Sequence, residues 1–219
     1  MAVLRLKQNP VTRLVRPPWL IPNNTYYQNV TLTGDSAGDF LFPFLETEQG
    51  YQVTNRAIAA ATLVDVTGTN VLEGARLESD LDANPDADIV FIMSAGVNDI
   101  NRVFNGFATT TLADLQTGFQ NIVSQIRARN MTPMISNCQI ATQWTNAPAN
   151  GVPQLAYDWN AWLNDYCMAE GIYVIPYETA FTTAGGDFTD GVHLTDEANR
   201  VATQYFQQGI KTHKPRSFP

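Results

Sequence analysis

Cysteine and histidine are scarce in this chain of 219 residues, which has two of each. Cys138 and Cys167 stand in no Cys-x-x-Cys or histidine-paired spacing, so neither a disulfide framework nor a structural zinc site is indicated. We expect both to be small buried hydrophobic side chains. Any chemistry that needs an imidazole therefore has at most two candidates.

Long apolar runs are also missing. No stretch approaches the roughly 18 apolar residues of a membrane span, and the N-terminal segment lacks the continuous apolar stretch of a signal peptide. We therefore expect no membrane span. We expect the protein to be located in the cytoplasm or in a viral or phage particle. The composition, with 44% hydrophobic and 16% charged residues, is typical of a globular protein rather than a disordered or coiled-coil chain.

Basic residues are few between the two ends of the chain. Four of the 13 lie in the first 19 positions and three in the last nine. The rest of the chain therefore has six basic residues and all 21 acidic ones. So acidic a body repels phosphate backbones. Nucleic acid is therefore not expected as a partner.

Proline marks the N-terminal boundary of the folded region. Pro10, Pro17, Pro18 and Pro22 interrupt helices and strand ladders, so residues 1–25 are predicted to form an extended arm. Residues 26–212 are predicted to form one domain. A C-terminal tail is predicted over residues 213–219.

Hydrophobic periodicity within the domain alternates between strands and helices. Strand-like runs cover residues 29–33, 51–58, 87–93, 131–137 and 171–177, with helical patterns between them. The run over 87–93 is continuously apolar, which indicates a strand buried on both faces. The sequence therefore predicts an α/β fold with a five-stranded parallel sheet in a three-layer α/β/α arrangement. Ligands bind beyond the carboxyl ends of such strands, where we expect loops.

His193 is the better placed histidine, because His213 lies in the basic tail. It follows Asp190 by three residues across Gly191, a spacing at which the carboxylate can reach Nδ1 and leave Nε2 free to accept a proton. Alone, Asp-x-x-His is more typical of a surface histidine near a helix start.

Two further polar groups end predicted strands. Ser36 follows Gly34 and Asp35 after the first strand, where a tight turn would expose its hydroxyl. Asn98 follows Gly96 after the third strand, where its amide could donate to an oxyanion. Each motif by itself is also typical of an ordinary polar turn.

In this order and at these strand ends, the three blocks closely resemble those of the SGNH hydrolases, also called GDSL esterases and lipases. The resemblance covers roughly residues 29–210. It implies a flavodoxin-like fold, with Ser36 as nucleophile, His193 as general base and Asp190 as the acid that orients the base. It further implies an oxyanion hole formed by the Ser36 N–H and the Asn98 amide, and neither a metal nor an organic cofactor.

The second sequence block departs from the family pattern. The family usually has Asn-x-Gly-x-x-Gly, whose last glycine donates a backbone N–H to the oxyanion, whereas residues 55–60 here carry alanine in both glycine positions. We assign the third donor to Ala60, which is expected to require a negative φ because alanine avoids positive values. Gly68 is the alternative donor, and a packing role for Ala60 is equally open.

A rival motif overlaps the serine. Residues 34–38 also satisfy Gly-x-Ser-x-Gly, the nucleophile elbow of α/β-hydrolases. That fold places several strands before the serine and separates its acid and base widely, whereas only one predicted strand precedes Ser36. Both interpretations predict a serine hydrolase.

The resemblance implies hydrolysis of carboxylic esters through an acyl-enzyme. The substrates of the family range from lipids and thioesters to acetylated sugars. Because nothing in this sequence resembles a large lipid-binding lid, we expect short acyl esters of a small molecule or a carbohydrate. Acetyl groups on carbohydrate are the leading candidate. The alternative is a non-catalytic carbohydrate-binding module of the same fold within a larger or viral assembly. Aromatic residues in the predicted loops are candidates for substrate binding: Phe104, Phe107, Trp144, Phe181 and Phe188.

Overall fold

The computed structural model describes residues 28–45, 51–67, 70–145, 151–186 and 188–212. The predicted N-terminal arm over residues 1–25, the tail over residues 213–219 and Gly68 lie outside these ranges, so the division into arm, domain and tail stays a prediction. None of the helices within the described ranges is long and apolar enough to cross a membrane.

All five predicted strands are present and form one parallel sheet, which confirms the predicted fold class. They are β1 (Gln28–Gly34), β2 (Tyr51–Asn55), β3 (Ile89–Met93), β4 (Thr132–Ser136) and β5 (Tyr173–Ile175). Their order across the sheet is β2-β1-β3-β4-β5. The chain therefore reverses its direction of travel across the sheet after β2, and β1 and β3 lie side by side in the centre.

Helices cover both faces of the sheet in the predicted three layers. They are α1 (Ser36–Leu45), α2 (Ala75–Asp82), α3 (Val97–Phe104), α4 (Leu112–Ala128), α5 (Thr142–Thr145), α6 (Val152–Glu170), α7 (Tyr177–Thr183) and α8 (Asp196–Thr212). The prediction of loops was wrong for α3, α5 and α7, because these short helices begin within a few residues of a strand end. Asn98 consequently lies in the first turn of a helix.

The apolar residues of β3 explain why its sequence shows no alternation. Ile89, Phe91 and Met93 pack on the side of the sheet covered by α1, α7 and α8, whereas Val90 and Ile92 pack on the side covered by α2, α4 and α6. All five side chains are buried. Burial on both faces is what a central strand of a parallel sheet requires.

The turn after β1 brings the chain directly into α1. Gly34 has a φ of 121°, and a Cβ added there would lie 2.5 Å from the carbonyl oxygen of Met93 on the neighbouring strand. Only glycine fits both this conformation and this close approach. The turn thereby places Ser36 at the N-terminus of α1, at the carboxyl edge of the sheet.

Candidate active site

Ser36 begins α1, so its backbone N–H belongs to the first turn, where a helix has no internal acceptors. Within the described residues this N–H has no hydrogen-bond partner. The next N–H, that of Ala37, donates to Asp35 Oδ1 at 2.9 Å. The helix start thus presents one free donor beside the serine hydroxyl, with the positive end of the helix dipole behind it.

The histidine sits on a tight turn that the aspartate holds closed. Asp190 Oδ1 accepts hydrogen bonds from the N–H groups of Val192, at 3.1 Å, and His193, at 2.8 Å. Gly191 has a φ of 88°, which this turn needs. The Thr189 N–H closes the turn further by donating to the carbonyl of His193 at 2.8 Å. Local hydrogen bonds therefore fix the aspartate and the imidazole relative to each other.

The structure brings the serine, the histidine and the aspartate together. Ser36 Oγ lies 2.7 Å from His193 Nε2, although the two residues are 157 positions apart in the chain. His193 Nδ1 lies 2.6 Å from Asp190 Oδ2. With Nδ1 bonded to a carboxylate, Nε2 is the nitrogen left to accept a proton from the hydroxyl.

The surroundings of Asp190 favour its ionised form. Its partial burial by itself would raise the pKa, but the backbone N–H of His193, the imidazole and the N–H of Val192 all favour the carboxylate and lower the pKa to about 2. Half of this side chain is exposed to solvent. The carboxylate can therefore orient a neutral imidazole and stabilise a charged one.

Three residues with hydrogen-bond donors, Ser36, Ala60 and Asn98, line the same cavity. Besides the Ser36 N–H, the Ala60 N–H has no hydrogen-bond partner among the described residues. The third is the Asn98 amide, whose Nδ2 donates to the carbonyl oxygen of Ala61 at 2.9 Å and lies 3.3 Å from Asp35 Oδ2. The Asn98 amide carries two N–H groups. A stronger acceptor, such as an oxyanion, would displace the longer contact, the one with Asp35 Oδ2.

The expectation of a negative φ at Ala60 is wrong, since the structure gives it a φ of 60°. The cause is a turn at the end of the second block, closed by a hydrogen bond of 3.1 Å from the Ala61 N–H to the carbonyl of Ile58. Alanine pays about 1–2 kcal/mol for this left-handed conformation, which glycine adopts freely. Ala60 thus has the backbone conformation that is usual for a glycine at this position of a turn.

Two charged residues that sequence reasoning missed hold these loops in place. The buried carboxylate of Asp99 accepts the N–H groups of Leu63, Val64 and Asp65 at 2.6–2.9 Å. Burial raises the pKa of Asp99, although these three hydrogen bonds favour its ionised form. Asp99 could have been noticed because it directly follows Asn98, and an aspartate in the first turn of a helix often binds backbone N–H groups.

Arg76 is the second missed residue, and it ties the first two strand ends together. Its Nη2 donates to the carbonyl oxygens of Gly34 and Arg56, each at 3.0 Å. Its Nε lies 3.5 Å from the buried carboxylate of Asp80. No sequence signal points to this role, because the partners are backbone atoms far along the chain.

A buried amide connects the third and fourth strand ends to the histidine turn. Gln139 accepts a hydrogen bond from Ser94 Oγ and donates through Nε2 to the carbonyl of Val192 at 3.0 Å. Ser94 has a φ of 52° and donates its N–H to Ser136 Oγ at 2.6 Å. The residue before His193 is therefore anchored to the sheet.

Ser36, His193 and Asp190 line one cavity of about 250 Å³. Its lining residues are Asp35, Ser36, Ala37, Ala60, Val97, Asn98, Asn101, Gln139, Asp190, Val192 and His193. A larger cavity of about 400 Å³ lies between residues 64–67 and the start of α4, and its described lining contains neither serine nor histidine. Among the described residues, no cluster of three or more His, Cys, Asp or Glu side chains is placed to hold a metal ion.

None of the five aromatic candidates, all of them described, lines the cavity with Ser36. Trp144 is fully buried and donates its indole N–H to Asn101 Oδ1 at 3.3 Å. Phe181 and Phe188 stack on each other at 4.2 Å on the opposite side of the sheet from Trp144. Phe104 packs against the core and Phe107 is 69% exposed.

The model of the GDSL-like lipase/acylhydrolase family matches residues 24–201. The chain belongs to this family. Membership confirms the predicted enzyme class, a hydrolase of carboxylic esters, and the match covers all the strands and the three blocks. No curated protein matches the chain in sequence.

Several solved structures share the fold at low identity. A GDSL-like lipase from Bacteroides thetaiotaomicron is 18% identical over 84% of this chain and 88% of its own, with a TM-score of 0.65. A catalytic mutant of an acetylxylan esterase from Geobacillus stearothermophilus is 15% identical over 87% and 97%, with a TM-score of 0.65. A lipolytic protein of the G-D-S-L family from Veillonella parvula is 13% identical over 85% and 100%, with a TM-score of 0.67.

We predict that Ala60→Gly stabilises this GDSL-family protein. Glycine relieves the left-handed strain but adds unfolded-state entropy, so the free energy of unfolding should rise by about 0.5–1 kcal/mol. Urea denaturation measures this change. Ala83→Gly is the matched control: Ala83 has a φ of −70°, so glycine there should destabilise the protein. A loss of stability in both variants would contradict the strain at Ala60.

Asp35 is a buried acid next to Ser36, and it generates a prediction about pH. Burial raises its pKa to about 8, although the hydrogen bond from the Ala37 N–H favours the ionised form. Because the folded-state pKa lies above the ordinary value, the folded chain binds a proton that the unfolded chain releases. The stability from this group is complete below the ordinary pKa and is lost as pH rises towards 8.

We therefore expect Asp35→Asn to gain stability relative to the parent protein as pH rises from 5 to 7, by up to about 1.4 kcal/mol per pH unit. The new NH₂ opposite the Asn98 amide adds a cost that does not vary with pH, so the slope of the difference carries the result. Urea denaturation at several pH values measures it. Asp86→Asn replaces an exposed aspartate and serves as the control. A difference in the free energy of unfolding between Asp35→Asn and the parent protein that stays constant with pH would refute the raised pKa of Asp35.

Proposed function

We propose that this protein is a serine esterase in which Ser36 is the nucleophile, His193 the general base and Asp190 the residue that orients the base. The observation that carries the proposal is the unbroken chain of hydrogen bonds from Ser36 Oγ through the imidazole to the Asp190 carboxylate, at 2.7 Å and 2.6 Å. These are the distances at which a hydroxyl can transfer its proton.

The reaction begins when Ser36 Oγ attacks the carbonyl carbon of the ester and passes its proton to His193 Nε2. The Asp190 carboxylate stabilises the imidazolium that forms. The oxygen of the tetrahedral intermediate accepts hydrogen bonds from the Ser36 N–H, the Ala60 N–H and the Asn98 amide. The imidazolium then protonates the leaving alcohol. In the second half of the reaction His193 takes a proton from water, the water oxygen attacks the acyl carbon, and Ser36 leaves and recovers its proton from the imidazolium.

The shape of the cavity favours a short acyl group. Among the described residues its apolar lining consists of the small side chains Ala37, Ala60, Val97 and Val192, and its volume of about 250 Å³ has little room beyond a short ester. Asn98 and Asn101 place side-chain amides in the same lining, and an amide can hydrogen-bond the hydroxyl groups of a sugar. Acetyl esters of carbohydrates fit both features, and acetylxylan esterases are among the proteins with this fold.

A carbohydrate-binding module without activity is the alternative. It would need neither a free backbone N–H at Ala60 nor a hydroxyl within hydrogen-bonding distance of an imidazole. Both features are costly to retain without catalysis, since the first is accompanied by a strained alanine. The catalytic proposal accounts for them and the binding module does not.

The first test is hydrolysis of p-nitrophenyl esters of increasing chain length. We expect acetate and propionate to be cleaved well and octanoate poorly, because the cavity is small. Ser36→Ala should lower kcat by about 10⁴-fold or more, since the covalent step is lost. Ser79→Ala, on the exposed face of α2, is the matched control and should retain full activity. Equal activity of Ser36→Ala and the parent protein would overturn the proposal.

Asn98 gives a second prediction. Its amide should bind the oxyanion more strongly than the substrate carbonyl, so Asn98→Ala should lower kcat about 10²- to 10³-fold with little change in KM. Steady-state kinetics with the best p-nitrophenyl ester separates the two constants. Asn121→Ala removes an exposed amide on α4 and serves as the control. A raised KM with unchanged kcat would assign Asn98 to substrate binding instead.

A further inference from the structure

An aromatic ring covers one face of the His193 imidazole. Phe40 lies in α1, four residues after Ser36, and its ring centroid is 4.3 Å from that of His193 with an angle of 17° between the ring planes. Residues four apart on a helix lie on the same face, so the serine and the phenylalanine approach the histidine together. Phe40 is 41% exposed, whereas Leu41 and Leu45 of the same helix are buried in the core.

We propose that Phe40 is a positioning residue for the reaction, which holds the plane of the His193 ring and stabilises its charged form. This inference rests on the proposed function of His193 as the general base. Phe40 lies outside the three sequence blocks. Only the tertiary structure brings it next to His193.

The geometric part of the argument follows from the two hydrogen bonds of the imidazole. Ser36 holds Nε2 and Asp190 holds Nδ1, both in the plane of the ring. Rotation of the ring about the line through these two partner atoms would change neither distance, so the two hydrogen bonds alone do not fix the tilt of the ring plane. A ring stacked at 17° opposes this rotation, because tilting the imidazole would bring the two rings into collision.

The electrostatic part concerns the proton that moves in the reaction. When Ser36 Oγ loses its proton to Nε2, the imidazole becomes a cation, and the face of an aromatic ring attracts a cation. The other titratable groups that line the cavity among the described residues are Asp190 and Asp35. The Phe40 ring therefore stabilises the imidazolium from its face while Asp190 does so from its edge.

Phe40→Leu and Phe40→Tyr separate this role from simple packing. Leucine keeps an apolar side chain but removes the aromatic face; tyrosine keeps it. We expect Phe40→Leu to lower kcat about two- to fivefold, as exposed cation–π contacts predict, and to move the acidic limb of the kcat/KM profile to lower pH. Phe40→Tyr should resemble the parent protein. Tyr157→Leu removes an aromatic ring of similar exposure on α6 and should leave kinetics unchanged.

A measurement without turnover keeps this inference separate from the proposed function. In Ser36→Ala combined with His213→Ala, the only imidazole observed by NMR is that of His193, and its titration can be followed directly. Adding Phe40→Leu should move the titration midpoint to lower pH, and Phe40→Tyr should not. Identical midpoints in all three proteins would overturn the role of Phe40, whether or not Ser36 proves to be the nucleophile. Thermal unfolding of each variant establishes that it is folded.

Discussion

The close approach of β1 to β3 at Gly34 is the constraint on which the site depends. The two strands are the central pair of the sheet, and at their carboxyl ends only a residue without a Cβ leaves room for the Met93 carbonyl. The same glycine turns the chain into α1, so Ser36 occupies the N-terminus of a helix above the middle of the sheet. The loops after the other strands end at the same edge and surround it, as parallel topology requires.

Buried acids hold this edge together in a chain that is rich in acidic residues. Asp99 binds backbone N–H groups of the second block, Asp80 pairs with Arg56 and Arg76, and Asp35 caps the start of α1. Burying a carboxylate is costly unless it is bonded, and each of these has at least one donor. The loops that carry the proposed catalytic groups are thus held mainly by polar contacts, while the apolar core on either side of the sheet supplies most of the stability.

Much of the fold and part of the site could be predicted from the sequence because the signals are local. The apolar run of β3 and the Asp190–His193 spacing each involve neighbouring residues. The contacts of Arg76, Gln139 and Phe40 could not be predicted, since their partners are reached only through tertiary structure. The aromatic candidates failed to line the cavity for a related reason. An aromatic residue in a loop segment can face either the core or the mouth, and Trp144 faces the core because a short helix forms there.

The central claim is that Ser36 is a nucleophile activated by His193. Reaction with a fluorophosphonate, followed by peptide mass spectrometry, tests it most directly, because only an activated serine forms the covalent adduct rapidly. The account predicts one adduct per chain, located on Ser36, with labelling much slower in His193→Ala and unchanged in His213→Ala. An adduct on a different serine, or labelling of Ser36 at the same rate without the His193 imidazole, would contradict it.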